Sequence, residues 1–560
     1  MADWNTSGVD QLEAYHFYED DWESYDALYE SFEWEVPDRF NIATHICDRW
    51  ADGPDRTAIY YETEAGETDE YTFRRLHAEA NQLANYFRKS GIKIGDRVGV
   101  NLPQKPSTVL AHLACWKVGA ISVPLSVKFG PEALSYRLDD AEAIACVVDD
   151  TNVNTLREVR SDIDSLETVL TIDTEPSGDE YDLASAIEGE STAFETATTA
   201  AEDPAIIIYT SGTTGDPKGV LHAHQFFLGH LPLFVSDFCN VAMYDDDVFW
   251  LPSEWSWIAA FDIVFPAWFY GKPALAYEAD SFDPEAAFDL IDRYDVTVTF
   301  IPPTALRMMK DIDAPEQYDV SSLRVIASGG EALDRDTFEW ASNTFGDGIA
   351  VHEGYGQTEA NMLIANCTAL MDHKIGKLGR PGPGHDVAIL NPETAEPTVP
   401  TGEVGEIGVR YGNDPVCFLE YWNKPDRTEE KVRNGWLLTG DLGHIDEDGY
   451  YEFESRKDDV IISAGYRISP EEIEETLADH PAVAQAGVVG VPDEERSEVP
   501  KGFVELAAGH EETAELRGEL QEYVKSQLAR YEYPREIAVR EALPKTTTGK
   551  VKRSALKEQS

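Results

Sequence analysis

The sequence predicts an α/β protein: a large N-terminal domain of two α/β subdomains plus a β-rich subdomain, and a small C-terminal α+β domain. Three observations predict it. From Arg97 onward, apolar runs of strand length alternate with runs of helix length; after residue 390 the runs shorten and turn residues separate them; near residue 469 a capping signal opens a further helix. At 560 residues the chain is too long for one ordinary core.

The first alternation reads strand "RVGVNL", helix "PSTVLAHLACWKVG", strand "AISVPL", helix "PEALSYRLDDA" and strand "AIACVVDD", which implies parallel strands joined by helices. Residues Asp173 to Asp203 are acidic and poor in large apolar side chains, so they are expected at the surface or in loops. The apolar run Ala205 to Ile208 reads as a strand that enters the loop "YTSGTTGDPKG", with "HQFFLGHL" as the helix expected after it. A second alternation follows. Asp283 and Pro284 occupy N-cap and first position of a helix, and "VTVTFI" and "LRVIAS" read as strands. In "HIDEDGYYEFE" the Asp448-Gly449 pair between two strand-like runs signals a hairpin. Ser469, Pro470 and Glu472 then stand at N-cap, N1 and N3, so a helix begins at Pro470 with a capping box, inside a small domain running from about Asp459 to the end.

Acidic residues number 105 against 45 basic ones, a net charge of −60 spread through the whole chain. Self-repulsion of that size opposes compaction unless salt screens it, and at molar salt the Debye length falls to about 3 Å. With 42% apolar residues the chain is not expected to be disordered. The balance resembles proteins of salt-loaded halophile cytoplasm, and nucleic acid is excluded as a partner for so acidic a surface. No stretch of about 18 apolar residues and no basic, apolar leader occurs, so a cytoplasmic protein without a membrane span is expected. Six cysteines lie scattered without CxxC spacing, which points to buried reduced thiols rather than disulfides or zinc.

The loop Tyr209 to Gly219 is built of small and hydroxylated residues that let backbone N–H groups approach an anion closely; read alone, it is equally a mere turn. It lacks the GK[ST] ending of a Walker A loop. Lys545, Lys550, Lys552 and Arg553 gather positive charge near the C-terminus, either as a solvated tail or as an anion site. His222, His224 and His230 invite a metal reading, but the carboxylate and cysteine partners and the spacing are missing.

The loop, together with "EGYGQTE" (Glu353 to Glu359), "TGD" (Thr439 to Asp441), "SRKDDVIISAGYRISPEEIE" (Ser455 to Glu474) and "PKTTTGK" (Pro544 to Lys550), resembles the adenylate-forming superfamily, in the family's order and over nearly the whole chain. The segments "FNIATHICDRWAD" and "GYGQTE" look most like AMP-forming medium-chain acyl-CoA synthetases, with acetyl-CoA synthetases next, and the composition resembles a haloarchaeal source. The resemblance implies an AMP-binding domain of residues 1–457 and a mobile C-terminal lid of residues 458–560, which rotates about a hinge near Asp458 between two half-reactions.

It also implies the site. Thr210, Ser211, Gly212, Thr213, Thr214, Gly215 and Lys218 would hold the phosphates of ATP; Gly330, Glu331 and Ala332 would line the adenine; Glu353, Gly354, Tyr355, Gln357 and Thr358 would complete the nucleotide site. Asp441, acceptor-only when ionised, suits the ribose hydroxyls, with Arg456 as the second ribose contact. Glu359 is assigned to Mg²⁺, which takes oxygen ligands, and Lys550 to bridging carboxylate and phosphate oxygens. Gly465, Tyr466, Arg467 and Lys525 are assigned to CoA. The reaction needs such cations, because a carboxylate attacks the α-phosphorus and brings anion to anion.

For the acid, Gly356 stands where acetate-selective relatives carry tryptophan, which is expected to deepen the acyl pocket; the other reading is a glycine required by the backbone. Trp257, in the aromatic segment "PSEWSWIAAFDIVFPAWFYG", is expected to line that pocket. The expected activity is ATP-dependent conversion of a medium-chain acid to its CoA thioester, with acetyl, propionyl or aryl acids, or an inactive nucleotide-binding regulator, as alternatives. An adenylating partner of a carrier protein is disfavoured, because the chain ends ten residues after Lys550. Oligomeric state stays open.

Overall fold

The computed structural model describes residues 9, 11–210, 217–346, 348–397, 399–457, 459–463, 466–493, 496–528, 533–545 and 550–560. These divide into two compact units, one within residues 1–210, 217–386 and 410–435, the other within 387–409 and 436–560.

Among the described residues the first unit holds one sheet of eight strands and one of nine. In the eight-stranded sheet Ile121–Pro124, Arg97–Asn101, Ala145–Asp149 and Thr168–Ile172 lie side by side and parallel, joined through Pro106–Val118 and helix α1, Pro131–Asp140. This is the alternation the sequence predicts. Proline at N1 starts both helices where a missing N–H costs nothing. Strand β1, Pro204–Thr210, joins the Ile121–Pro124 strand in parallel and pairs antiparallel with β2, Lys218–Ala223. Glu420–Tyr421 closes the far edge against β2.

The helix Pro106–Val118 carries no polar face, and every residue but Ser107 is buried. It belongs to a core cluster that includes strand residues of both sheets, such as Val98 and Ile59. Burial there forces pairing, so Lys117 contacts Asp48.

In the nine-stranded sheet a parallel centre runs from Thr57–Thr63 to β3, Val325–Gly329, and β4, Ala350–Gln357, with β5, Asn361–Ala365, antiparallel beyond. Ser328 faces Glu353 and Gly329 faces Gly354 in the register. A Cβ on Gly329 would lie 2.6 Å from the Gly354 carbonyl oxygen, so the end of β3 approaches the middle of β4 as closely as only glycine allows. Asp283 caps helix Pro284–Tyr294 as expected, accepting from the N–H groups of Glu285 and Ala286.

In the second unit β6, Trp436–Ile445, and β7, Tyr451–Arg456, form the predicted hairpin. Asp446 accepts from the N–H groups of Asp448 and Tyr450, and Gly449 takes φ 84°. Ser469 caps helix α2, Pro470–Ala478, accepting from Glu472 N–H, and donates its hydroxyl to the Glu454 carbonyl at 2.8 Å. The β-rich segment thus groups with the C-terminal residues. Helix α3, Arg553–Lys557, ends the unit. The six cysteines are free and buried.

Candidate active site

Ser211, Gly212, Thr213, Thr214 and Gly215 lie outside the described residues, and the two stems of their loop are described. Thr210 ends β1 opposite Lys218, which opens β2, so the loop connects antiparallel strands. This corrects the expected strand–loop–helix order: β2 intervenes, and the helix Phe226–Leu233 follows it. Nearly all of β2 is buried, so its side chains show no alternation that would separate strand from helix in the sequence.

Lys218 lies with its Nζ 4.7 Å from the centre of the Tyr421 ring. The Tyr421 hydroxyl donates to Glu359 Oε1, and Lys431 Nζ stands 4.0 Å from the same oxygen. Burial alone would push the Glu359 carboxyl up. Lys431, the Tyr421 hydroxyl and Lys218 outweigh it and hold the group below the usual carboxylate range. Thr358 and Glu359 follow directly on β4, and Phe418 N–H donates to the Glu359 carbonyl at 2.8 Å. His222 Nε2 donates to the Thr358 carbonyl at 2.8 Å; burial and the neighbouring His230 bring His222 down to about 3, so it stays neutral. His224 Nδ1 accepts from Ile42 N–H and His230 lies against Asn361, so the three histidines serve separate partners.

The pairing of β3 with β4 sets Ser328 opposite Glu353 and Gly329 opposite Gly354, and Gly330, Glu331 and Ala332 follow directly on β3. Gly330 takes φ 88°. Glu331 turns its carboxylate to Thr304 N–H (2.9 Å) and Arg307 (3.1 Å). Gln357 ends β4.

Gly356 does not border an open tunnel on the side where a side chain would grow. A Cβ there would lie 1.7 Å from the Asn361 carbonyl oxygen, at a register shift between β4 and β5. The glycine is required by the strand pairing, and a larger residue would displace β5 before it shortened a pocket. Trp257 is half-buried and packs edge-on against Phe129, ring centres 6.4 Å apart, at the margin of an apolar cluster.

In the second unit Asp441 and Arg456 are cross-strand partners in the hairpin, joined by Arg456 Nη1 donating to Asp441 Oδ1 at 2.7 Å. Asp441 is buried, and its turn is held by Thr439 Oγ1 donating to the Ile407 carbonyl and by Gly440 N–H donating to Glu406. Asp458 and Gly465 lie outside the described residues, and Tyr466 and Arg467 are described only as backbone of a strand paired with Ile461–Ser463. Lys525 lines a groove of about 460 Å³ with Glu522, Ser526, Tyr533 and Arg535, and its Nζ and the Arg535 guanidinium lie 4.3 and 4.2 Å from the Tyr533 ring centre. Lys550 is exposed and adjoins the bridge between Lys545 and Val551. Arg553, three residues on, is half-buried among Asp459, Glu471 and Glu474 at 2.5 to 3.0 Å.

Tyr421, Lys431, Tyr533 and Arg535 escaped the sequence reading. The first two lie more than sixty residues from Glu359 in "EYWNKPDRTEEK", a stretch with no local signature, and only the pairing of Glu420–Tyr421 with β2 brings them in.

A family model of the AMP-binding enzyme matches residues 47–422, and one of the AMP-binding enzyme C-terminal domain matches residues 472–550. The chain is 34% identical over 531 residues to an uncharacterized acyl-CoA ligase, YtcI, of Bacillus subtilis, covering 94% of this chain and 97% of that one. It is 33% identical over 537 residues to the mitochondrial acyl-coenzyme A synthetase ACSM4 of Rattus norvegicus, covering 94% and 91%. Among solved structures, the anthranilate CoA ligase AuaEII in complex with anthranoyl-AMP superposes with a TM-score of 0.84 at 27% identity, covering 94% of this chain and 98% of that one. The Brucella canis acyl-CoA synthetase gives 0.74 at 31%, covering 96% and 99%.

Proposed function

The chain belongs to the AMP-binding enzyme family as an acid-thiol ligase that activates a carboxylic acid as its adenylate and passes the acyl group to CoA, and we propose that its acid is a medium-chain fatty acid. The observation that carries the chemistry is Glu359, a buried carboxylate kept ionised by Lys431, Tyr421 and Lys218, the last of which opens the strand that forms one stem of the phosphate loop.

In the first half-reaction a carboxylate oxygen bonds to the α-phosphorus of ATP, the bond to the β-phosphate oxygen breaks, and pyrophosphate leaves. Loop residues 210–215 and Lys218 hold the leaving phosphates, and Thr358 contacts phosphate. Lys550 bridges the attacking carboxylate and the phosphate oxygens. Gly330, Glu331, Ala332 and the strand Glu353–Gln357 line the adenine side, while Asp441, oriented by Arg456, accepts the ribose hydroxyls. Glu359 fits Mg²⁺ as a hard, ionised oxygen donor, and the ion would neutralise charge that develops on the phosphates. In the second half-reaction the C-terminal residues turn about Asp458 and the CoA thiolate attacks the acyl carbonyl carbon, expelling AMP. Gly465, Tyr466 and Arg467 flank its path; Lys525, with Tyr533 and Arg535, takes the nucleotide end of CoA, cations a chain of charge −60 rarely gathers.

Preference for medium chains is supported by the likeness of "FNIATHICDRWAD" and "GYGQTE" to medium-chain synthetases, since each buried CH₂ adds about 0.8 kcal/mol until the pocket is full. A second reading, a flat aromatic acid, is favoured by the Trp257–Phe129 pair. The same composition supports a cytoplasmic enzyme that works in molar salt; among the described residues no helix is long and apolar enough to cross a membrane.

The test is AMP release with ATP, Mg²⁺ and CoA in molar KCl, across acids from acetate to decanoate and benzoate. A maximum at medium length supports the proposal and a maximum at benzoate selects the aromatic reading. Full activity after long dialysis into about 10 mM buffer would remove the salt requirement.

A further inference from the structure

The C-terminal turn of α1 presents Tyr136 and Asp140, four residues apart and so on one face. Asp140 Oδ2 accepts from the Tyr209 hydroxyl at 2.8 Å, Oδ1 accepts from Lys424 Nζ at 2.8 Å, and its backbone carbonyl accepts from Trp422 Nε1 at 3.0 Å. Tyr136 donates its hydroxyl to the Pro217 carbonyl at 3.0 Å. Tyr209 and Pro217 are the stems on either side of the phosphate loop, and Trp422 and Lys424 directly follow Tyr421, whose hydroxyl holds Glu359. Burial and then Asp140 push the Tyr209 hydroxyl well up, so it remains a donor.

We propose that Asp140 is a positioning residue for adenylation: it locks the entrance stem of the phosphate loop to the segment that carries Tyr421, so that this stem and the metal-binding carboxylate of Glu359 keep one spacing. Trp422 N–H also donates to the Gly219 carbonyl at 2.7 Å, so the segment is tied to the exit stem as well. A carboxylate suits the task because it accepts from two partners at once, one of them a cation, and charged hydrogen bonds are the stronger class. The helix is rigid where a loop on its own is not, which is what a site needs from its supports. The proposal rests on the reading of the loop and of Glu359 as the ATP and Mg²⁺ site.

The test compares Asp140→Ala, Asp140→Asn and Tyr209→Phe with the wild type in ATP–pyrophosphate exchange and in thioester formation. Asp140→Ala should raise KM for ATP and the Mg²⁺ concentration for half-activation by about tenfold, the size of one charged hydrogen bond, with KM for acid and for CoA within about twofold. Asp140→Asn, which still accepts from Tyr209 but no longer pairs with the Lys424 charge, should restore part of the loss. Tyr209→Phe should move the same two constants in the same direction, and it carries the test should Asp140→Ala fail to fold. Equal changes in all KM values, or a lowered melting temperature with unchanged KM values, would overturn the proposal. If the wild type exchanged no pyrophosphate with any acid, the assignment of function would fail by itself, and calorimetric Mg·ATP binding by Asp140→Ala against wild type would still decide the role of Asp140.

Discussion

The first unit buries histidines and keeps them neutral, whereas the second holds a half-buried ion cluster. His45, His112, His222 and His224 are each brought down to about 3 chiefly by burial. In the second unit Arg553 lies among Asp459, Glu471 and Glu474, and burial pushes the Glu471 carboxyl up to about 7 against the pull of Arg553. The two arrangements respond to protons with opposite sign. A histidine whose folded pKa is depressed adds stability that is complete above its unfolded value of 6.5 and is lost as pH falls. A carboxyl whose folded pKa is raised adds stability that is complete below its unfolded value of 4.5 and is lost as pH rises to about 7. Acidification below pH 6.5 therefore weakens the first unit while Glu471 strengthens the second.

The largest effect expected contrasts one chemical group from each unit. Lys550→Ala should lower ATP–pyrophosphate exchange by about 10² to 10³-fold or more while sparing thioester formation from a preformed acyl-adenylate, whereas Glu359→Gln should lower exchange and shift the Mg²⁺ requirement. Equal loss of both half-reactions in Lys550→Ala would remove the division of labour between the units.

Next comes Arg553→Met, which removes the cation shared by Glu471, Glu474 and Asp459, leaving Asp459 with Lys557 at 3.6 Å, and should destabilise the second unit by about 1.5–3 kcal/mol. Calorimetry should show a lowered transition for that unit only; a shift of both transitions together would mean the units do not melt separately. His112→Phe has the smallest effect. Both His112 ring nitrogens lack a hydrogen-bond partner in the core, so the variant should keep its fold and flatten the loss of stability below pH 6.5 by about one proton, at most about 1.4 kcal/mol per pH unit. An unchanged slope in denaturant titrations from pH 7 to 5 would show that His112 takes up no proton on unfolding.

Much of the fold was legible because its signals are local. The alternation from Arg97, the Asp283 and Ser469 caps and the Asp448-Gly449 turn each depend on residues within a few positions of one another, and each stands where expected. Strand β2 was missed because five of its six residues are buried, so no alternation marked it. Gly356 was open to two readings, pocket space or a glycine required by the backbone, because a missing side chain in a sequence does not say whether solvent, substrate or a backbone carbonyl fills the place, here the Asn361 carbonyl.

The sequence by itself determined the architecture, the family and the motifs, since periodicity, caps and motif order are properties of neighbours along the chain. Only the tertiary structure decided which residues meet around those motifs: that Tyr421 and Lys431 keep Glu359 charged, that Asp441 and Arg456 face each other across a hairpin, and that Asp140 joins Tyr209 to Lys424. Hydrogen bonds and ion pairs act over about 3 to 4 Å, and residues separated by tens or hundreds of positions come that close only after the sheets have assembled.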